Sequence, residues 1–260
     1  MPAARWYGVE NARRTEDIPF YLAAAERWAG PGGAVLEIAA GEGRVSLPLA
    51  RAGFRVTAAD SSPAMRERLA ARLAREPEEV RRRVEIVAAD VRKLALDRLW
   101  RFVCLPFNSL LLLNQPHERQ RALERIREHL APSGALAFDV FTPDPRRLVD
   151  QPDFEVELDH EAEDEEAGTV RVTRLHRRGI DLGRQLLRVD WRHRVSRDGV
   201  TLAEWEDGLD LALIFPGELA LLLERQGFRL EARHGGPDGR PYAPTLEDVQ
   251  PMYVIAKIAP

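Results

Sequence analysis

The chain of 260 residues carries one cysteine, three methionines and only two lysines, Lys93 and Lys257, among its 38 basic residues. A single thiol, Cys104, excludes an internal disulfide and suits a reducing cytoplasm. The scarcity of lysine reads as a genome-composition or high-temperature bias rather than a function. No apolar run reaches the roughly 18 residues a membrane helix needs, and the N-terminal stretch lacks an apolar signal core. Positive charge is not in excess: 38 Lys and Arg against 42 Asp and Glu leave a formal charge of −4, with no global attraction for nucleic acid or an anionic membrane. No extended basic patch with interleaved aromatics appears. His160, His176, His193 and His234 lack metal-ligand spacing, so no metal is assigned. These absences predict a soluble cytoplasmic protein with no nucleic-acid, membrane or metal partner.

With 45% hydrophobic residues, the chain can bury one large α/β domain or one such domain with an insertion. Residues 15–29 read as a helix capped by Thr15 and ended by the Gly30-Pro31-Gly32-Gly33 cluster. Strand and helix signals then alternate: "AVLEIAA", "RVSLPLARAG", "FRVTAAD", then a helix begun by Ser62 with Pro63 in its first position. "RVEIVAAD" and "RFVCLPF" follow as strands, "PHERQRALERIREHL" as a helix, "PSG" as a turn and "ALAFDVF" as a strand. Repeated β-α units of this length predict a parallel sheet with helices on both faces. After Pro143 the period changes to two. "FEVELD" is acidic, "TVRVTRLHRR" basic, and "LRVDWRHRV" alternates again before the hairpin turn Asp198-Gly199. Residues 146–212 therefore read as an inserted antiparallel β subdomain between a core of 1–145 and 213–260. The α/β pattern resumes with "PGELALLLERQGF", "RLEARHGG" and "MYVIAKI".

The stretch "VLEIAAGEGR" places a small-residue turn between the first strand and its helix. In an open parallel sheet, ligands bind at the carboxyl ends of the strands where the strand order reverses. Gly41 and Gly43 let a ligand approach backbone there, and the helix start offers free N–H groups. A dinucleotide fingerprint needs glycine or alanine where Ser46 stands, and a phosphate loop needs a GKS or GKT that is absent. Asp60 ends the second strand and Asp90 the third. Asp60 lies close to the spacing at which a carboxylate meets ribose hydroxyls.

"VLEIAAGEGRVSLPLARAG", "VTAADSSPAM" and "VAADV" resemble the first three motifs of class I S-adenosylmethionine-dependent methyltransferases. "DIPFYL", "PFNSLLLL" and "HGGPDGRPYAP" narrow the resemblance to bacterial small-molecule members, including aminosugar N-methyltransferases, which carry a β insertion at the same place. The resemblance implies a Rossmann-like sheet, S-adenosylmethionine as cofactor and S-adenosylhomocysteine as product. It implies that Glu37 orders the turn and approaches the methionine amino group, and that Ala39 to Gly43 line the methionine and sulfonium. Asp60, beside Ser61, would take the ribose, Met65 the adenine face, and Asp90 with the Val91 N–H the adenine amino group. Leu105 and Pro106 would touch the methionine end; Arg44 or the Tyr7/Tyr21 region would meet its carboxylate. The chain departs from the pattern at Ala39, where glycine is usual, and at Leu112, where a histidine is frequent.

Candidates for acid–base work near the strand ends are Tyr7, Tyr21, Asn108 and Asp139, with His193 and Tyr242 from later in the chain. Tyr21, Asn108 and His193 form the catalytic expectation. Trp191 and Trp205 read as insertion core or as an aromatic wall for the acceptor. His117 and His129 read as solvated, and Cys104 as core. The insertion is expected to shape the pocket of a small-molecule acceptor, and its apolar face could also meet a second subunit in a homodimer. The alternatives are a noncatalytic S-adenosylmethionine-binding protein and a nicotinamide-dependent oxidoreductase, which Ser46 disfavours.

Overall fold

The computed structural model describes residues 6, 14–144, 146, 154–164, 166–245 and 248–259. Tyr7 lies outside them. In chain order the strands are β1 (Ala34–Ile38), β2 (Arg55–Asp60), β3 (Val84–Ala88), β4 (Trp100–Leu105), β5 (Leu130–Val140), β6 (Glu155–Asp164), β7 (Gly168–Asp181), β8 (Leu186–Arg197), β9 (Val200–Ala212), β10 (Phe228–His234) and β11 (Met252–Ile258). The helices are α1 (Ile18–Ala29), α2 (Ser46–Arg51), α3 (Pro63–Leu73), α4 (Glu78–Arg81), α5 (Pro116–Glu128) and α6 (Pro216–Arg225). The chain forms two compact units, Glu16–Thr142 with Ile214–Pro260, and Met1–Thr15 with Pro143–Leu213.

The larger unit is built on a seven-stranded sheet in the order β3-β2-β1-β4-β5-β11-β10. β3, β2, β1, β4 and β5 run parallel, while β11 pairs antiparallel with both β5 and β10. The order reverses between β1 and β4, so the crevice of this unit lies at their carboxyl ends. Strands buried on both faces explain the near-continuous apolar runs. Val35, Phe102, Cys104, Ala135 and Ala137 pack with Phe20, Tyr21, Leu49 and Leu69 of α1–α3, while Leu36, Val103, Leu136, Phe138 and Val254 between them are also buried. Each such large side chain contributes about 1.5–3 kcal/mol on burial.

Local chemistry sets most boundaries. The Ser62 Oγ accepts the Met65 N–H at 3.4 Å with Pro63 opening α3, as the sequence predicts. Two expectations change. α1 begins at Ile18 with Asp17 at its N-cap, not Thr15, and the Asp17 carboxylate makes no capping bond because it is held by an arginine described below. "PSG" is not a free turn but part of a bulge within β5: Trp100 pairs with Leu130 and Phe102 with Ala135. A Cβ on Gly134 would stand 2.9 Å from the Trp100 carbonyl oxygen, so the bulge requires glycine at that point.

The smaller unit contains an antiparallel sheet ordered β6-β7-β8-β9. Asp198 (φ 51°) and Gly199 (φ 78°) are both left-handed, the geometry of a tight hairpin turn between β8 and β9. The acidic and basic strands pair as their charges suggest: Arg171 donates to Asp159 at 2.8 and 2.6 Å, and Arg174 to Glu157 at 3.1 Å. Trp6, Val170, Val172 and Val195 form the apolar cluster of this unit, with Trp205 packed against it.

Candidate cofactor and acceptor site

The turn after β1 is left-handed at Ala39 (φ 56°), Gly41 (φ 58°) and Gly43 (φ 82°). Its two glycines serve different ends. A Cβ on Gly43 would stand 2.3 Å from the Leu69 Cδ1, so that glycine lets α3 close on the turn. A Cβ on Gly41 would meet nothing within 4 Å, so that glycine faces open space. Asp60, at the end of β2, ties the turns together: its Oδ2 accepts the Gly41 N–H at 2.7 Å and its Oδ1 the Ser62 N–H at 2.8 Å. A carboxylate has about four acceptor positions, so each oxygen keeps one for a ligand hydroxyl. Glu42 turns away from the crevice and pairs with Arg68 and Arg72 of α3, each at 3.0 Å.

Glu37, at the end of β1, is buried and accepts the Ser46 hydroxyl. Burial pushes its pKa up to about 8, against the pull of Ser46 and of Arg44. Ser46, the residue that argues against a dinucleotide fingerprint, therefore has a structural task. Arg44 does not point freely into the crevice. Its guanidinium is held two-pronged by Asp17, with Nη2 to Oδ2 at 2.7 Å, and lies over the Phe107 ring at 5.1 Å. The expectation that Arg44 meets a ligand carboxylate is corrected to a clamp from the glycine turn to the start of α1.

At the ends of β4 and β5, Asp139 organises the neighbouring loop. Its Oδ1 accepts the Tyr21 hydroxyl at 2.5 Å and the Phe107 N–H at 2.7 Å, and its Oδ2 accepts the Asn108 N–H at 3.1 Å. Burial raises the pKa of Asp139 while these donors oppose the shift. Phe107 (φ 63°) and Asn108 (φ 55°) are consecutive left-handed residues; asparagine tolerates that conformation, whereas for Phe107 it is strain that persists only where surroundings hold it. Tyr21 is completely buried, and burial together with Asp139 holds its hydroxyl protonated well above the usual tyrosine range. The expectation of a catalytic Tyr21 is accordingly corrected: the residue positions Asp139. Asn108 also differs from expectation, because its Oδ1 accepts the Phe141 N–H at 2.6 Å. Leu105 and Pro106 are buried behind this loop.

On the other flank, Ser61 is exposed and Met65 half-buried at the start of α3. Asp90 caps the short 3-10 turn Val91–Lys93, and both its oxygens take the Arg92 side chain at 2.6–3.1 Å, which holds its pKa below the usual range. Arg92 also pairs with Glu118. His193 lies on β8 of the smaller unit, stacked on Trp205 with centroids 4.5 Å apart and bonded through Nε2 to Asp207 at 2.9 Å. His129, expected in solvent, is buried: its rings' nitrogens face the Leu96 N–H at 2.8 Å and the Arg125 carbonyl at 2.7 Å. Sequence reasoning missed the Asp17–Arg44 clamp and the organising role of Asp139; neither has a local motif, since the partners stand 27 and up to 118 residues apart.

Residues 35–134 match the family described as "Methyltransferase domain". A curated relative, the cypemycin N-terminal methyltransferase of a Streptomyces species, is 34% identical over 112 residues. That match spans 43% of this chain and 43% of the relative. The CcbJ methyltransferase of Streptomyces caelestis has a similar structure, with a TM-score of 0.75 at 24% identity over 94% of each chain. S-adenosylmethionine-bound CalS10, an amino pentose methyltransferase of Micromonospora echinaspora, gives a TM-score of 0.65 at 21% identity, over 94% of this chain and 90% of that one. Residues 35–134 are thus similar to a methyltransferase domain, and the fold of the chain is that of the class I methyltransferases.

Proposed function

We propose that the chain is an S-adenosylmethionine-dependent methyltransferase acting on a nitrogen or oxygen of a small-molecule acceptor. The observation that carries the reading is the Asp60 clamp: a buried carboxylate with acceptor positions to spare, tied to the open face of Gly41. That arrangement fits a ligand with a diol beside its reactive end. Asp60 would accept the two ribose hydroxyls in charge-assisted bonds. Glu37 would approach the methionine amino group, with Ala39 to Gly43, Leu105 and Pro106 around the methionine. Met65, the Val91 N–H and Asp90 would serve the adenine, Asp90 sharing its oxygens with Arg92.

When bound, S-adenosylmethionine supplies a methyl carbon on a cationic sulfur; the acceptor lone pair forms the new bond while the carbon–sulfur pair returns to sulfur. Because the donor is already activated, the chain's own residues mainly align the acceptor and exclude water. The Arg44–Asp17 clamp and the Asp139 loop hold the edges of the crevice for that purpose. A neutral amine needs no strong base, and its surplus proton leaves to solvent after transfer. His193 is kept as the acid–base candidate for acceptors that need one. We assign acceptor choice to residues 146–212 and Tyr242, and the reaction to the cytoplasm, with a homodimer as the candidate assembly.

Labelled methyl transfer across a panel of small amines and alcohols tests the reading. Transfer by the wild type, lost in Asp60→Ala, is expected; a protein that binds the cofactor yet methylates no member of a broad panel contradicts it.

A further inference from the structure

The loop between β4 and β5 carries an inference beyond the methyltransferase reading, on which it rests. Asn108 has one carbonyl and one NH2 group in its side chain. The carbonyl is committed, because Oδ1 accepts the Phe141 N–H at 2.6 Å. The orientation of the amide is thereby fixed: a backbone N–H can be accepted only by the oxygen, so Nδ2 points the other way. Nδ2 has no hydrogen-bond partner within the described residues, and it is not among the buried polar atoms left without one, so it reaches solvent. The backbone that presents it is left-handed at two successive residues, costly for Phe107, and is held by Asp139 through the Phe107 and Asn108 N–H groups. Strain held in place by a buried carboxylate, beside Arg44 of the glycine turn, marks an element kept for its geometry.

Just past the end of β5, next to Phe141, the Thr142 hydroxyl meets the Tyr242 hydroxyl at 2.7 Å. The carboxyl edge of β4 and β5 therefore offers uncharged hydrogen-bonding groups: an amide donor and a hydroxyl pair. A donor aimed at the attacking atom would compete for its lone pair and slow transfer. A donor aimed at a neighbouring oxygen would fix the acceptor without that penalty.

We propose that Asn108 is a specificity-determining residue whose Nδ2–H group donates to a carbonyl or hydroxyl oxygen next to the methylated atom of the acceptor, with Asp139 as the residue that positions it. The structure thus reassigns Asn108 from proton transfer to recognition. A bond of this kind discriminates an acceptor from its oxygen-free twin by about tenfold or more.

The test uses two pairs of probes that differ only in that oxygen: 2-aminocyclohexanol against cyclohexylamine, and leucinol against 1,3-dimethylbutylamine. With saturating S-adenosylmethionine, the wild type is expected to favour the oxygen-bearing member of at least one pair by about tenfold in kcat/KM, mostly through KM. Asn108→Asp keeps the oxygen that accepts from Phe141 and removes the donor. Asn108→Gly keeps the left-handed turn and removes the whole side chain. Both should bring the ratio within each pair close to one while binding of S-adenosylhomocysteine stays unchanged. Equal rates for the twins in wild type, a ratio that survives both substitutions, or no transfer to either oxygen-bearing probe by cofactor-saturated protein each overturns the proposal. Failure to bind the cofactor at all overturns the methyltransferase reading instead.

Discussion

Gly41 and Gly43 are two residues apart, and the structure gives them opposite consequences. Gly43→Ala drives a methyl into Leu69 at a left-handed backbone position, and about 2–3 kcal/mol of stability should be lost in urea unfolding. Gly41→Ala meets no neighbour, so it should cost only the backbone strain, about 1–2 kcal/mol, and weaken S-adenosylmethionine binding more than it weakens the fold. Equal effects of the two would deny that Gly41 faces the ligand. Glu37 gives a pH signature. Its pKa is raised from 4.5 to about 8 in the folded chain, so the folded state holds a proton that the unfolded state has released. Its stabilising contribution is therefore complete below about 4.5 and is lost as pH rises through about 8. Thermal unfolding of Glu37→Gln should show a shallower fall across that window than the wild type; parallel curves would remove Glu37 as the source. At this scale the sequence was most legible where a residue acts through its immediate neighbours, as with Ser62, Pro63 and Gly199. It was least legible for Asp17, Arg44 and Asp139, whose tasks exist only once distant strands lie side by side.

At the scale of elements, alternating strand and helix signals marked β1 to β5 and β11 of the seven-stranded sheet, and the change of period after Pro143 marked the antiparallel one. The elements whose edges differed were those where tertiary contacts override local signals. α1 starts late because Asp17 serves Arg44, and "PSG" is drawn into β5 because Leu130 pairs with Trp100 before the bulge. Between elements, the Tyr21 hydroxyl links α1 to β5 through Asp139, which also carries the loop after β4. Tyr21→Phe removes one of three donors to a buried carboxylate. About 1–2 kcal/mol of stability should be lost in urea unfolding, with cofactor affinity changed little. A large fall in cofactor affinity without loss of stability would return Tyr21 to direct ligand contact.

At the scale of the whole molecule, the order β3-β2-β1-β4-β5-β11-β10 brings Glu37, Gly41, Asp60, Leu105 and Asp139 from four strands to one edge of a single sheet. Three acidic side chains there, one glycine open to the ligand and no phosphate-binding signature separate the site from that of a nucleoside triphosphate. The cofactor assignment is the claim on which the proposed chemistry, the Asn108 proposal and the Asp60 reading all depend. Titration calorimetry of the full chain with S-adenosylmethionine, S-adenosylhomocysteine and NADH tests it most directly. The account predicts saturable binding of the first two and none of NADH. Asp60→Ala should cost about 2–4 kcal/mol of affinity through the lost charge-assisted bonds, and some stability as well, because the Gly41 and Ser62 N–H groups lose their acceptor. Binding of NADH with no response to S-adenosylmethionine at millimolar concentration would contradict it.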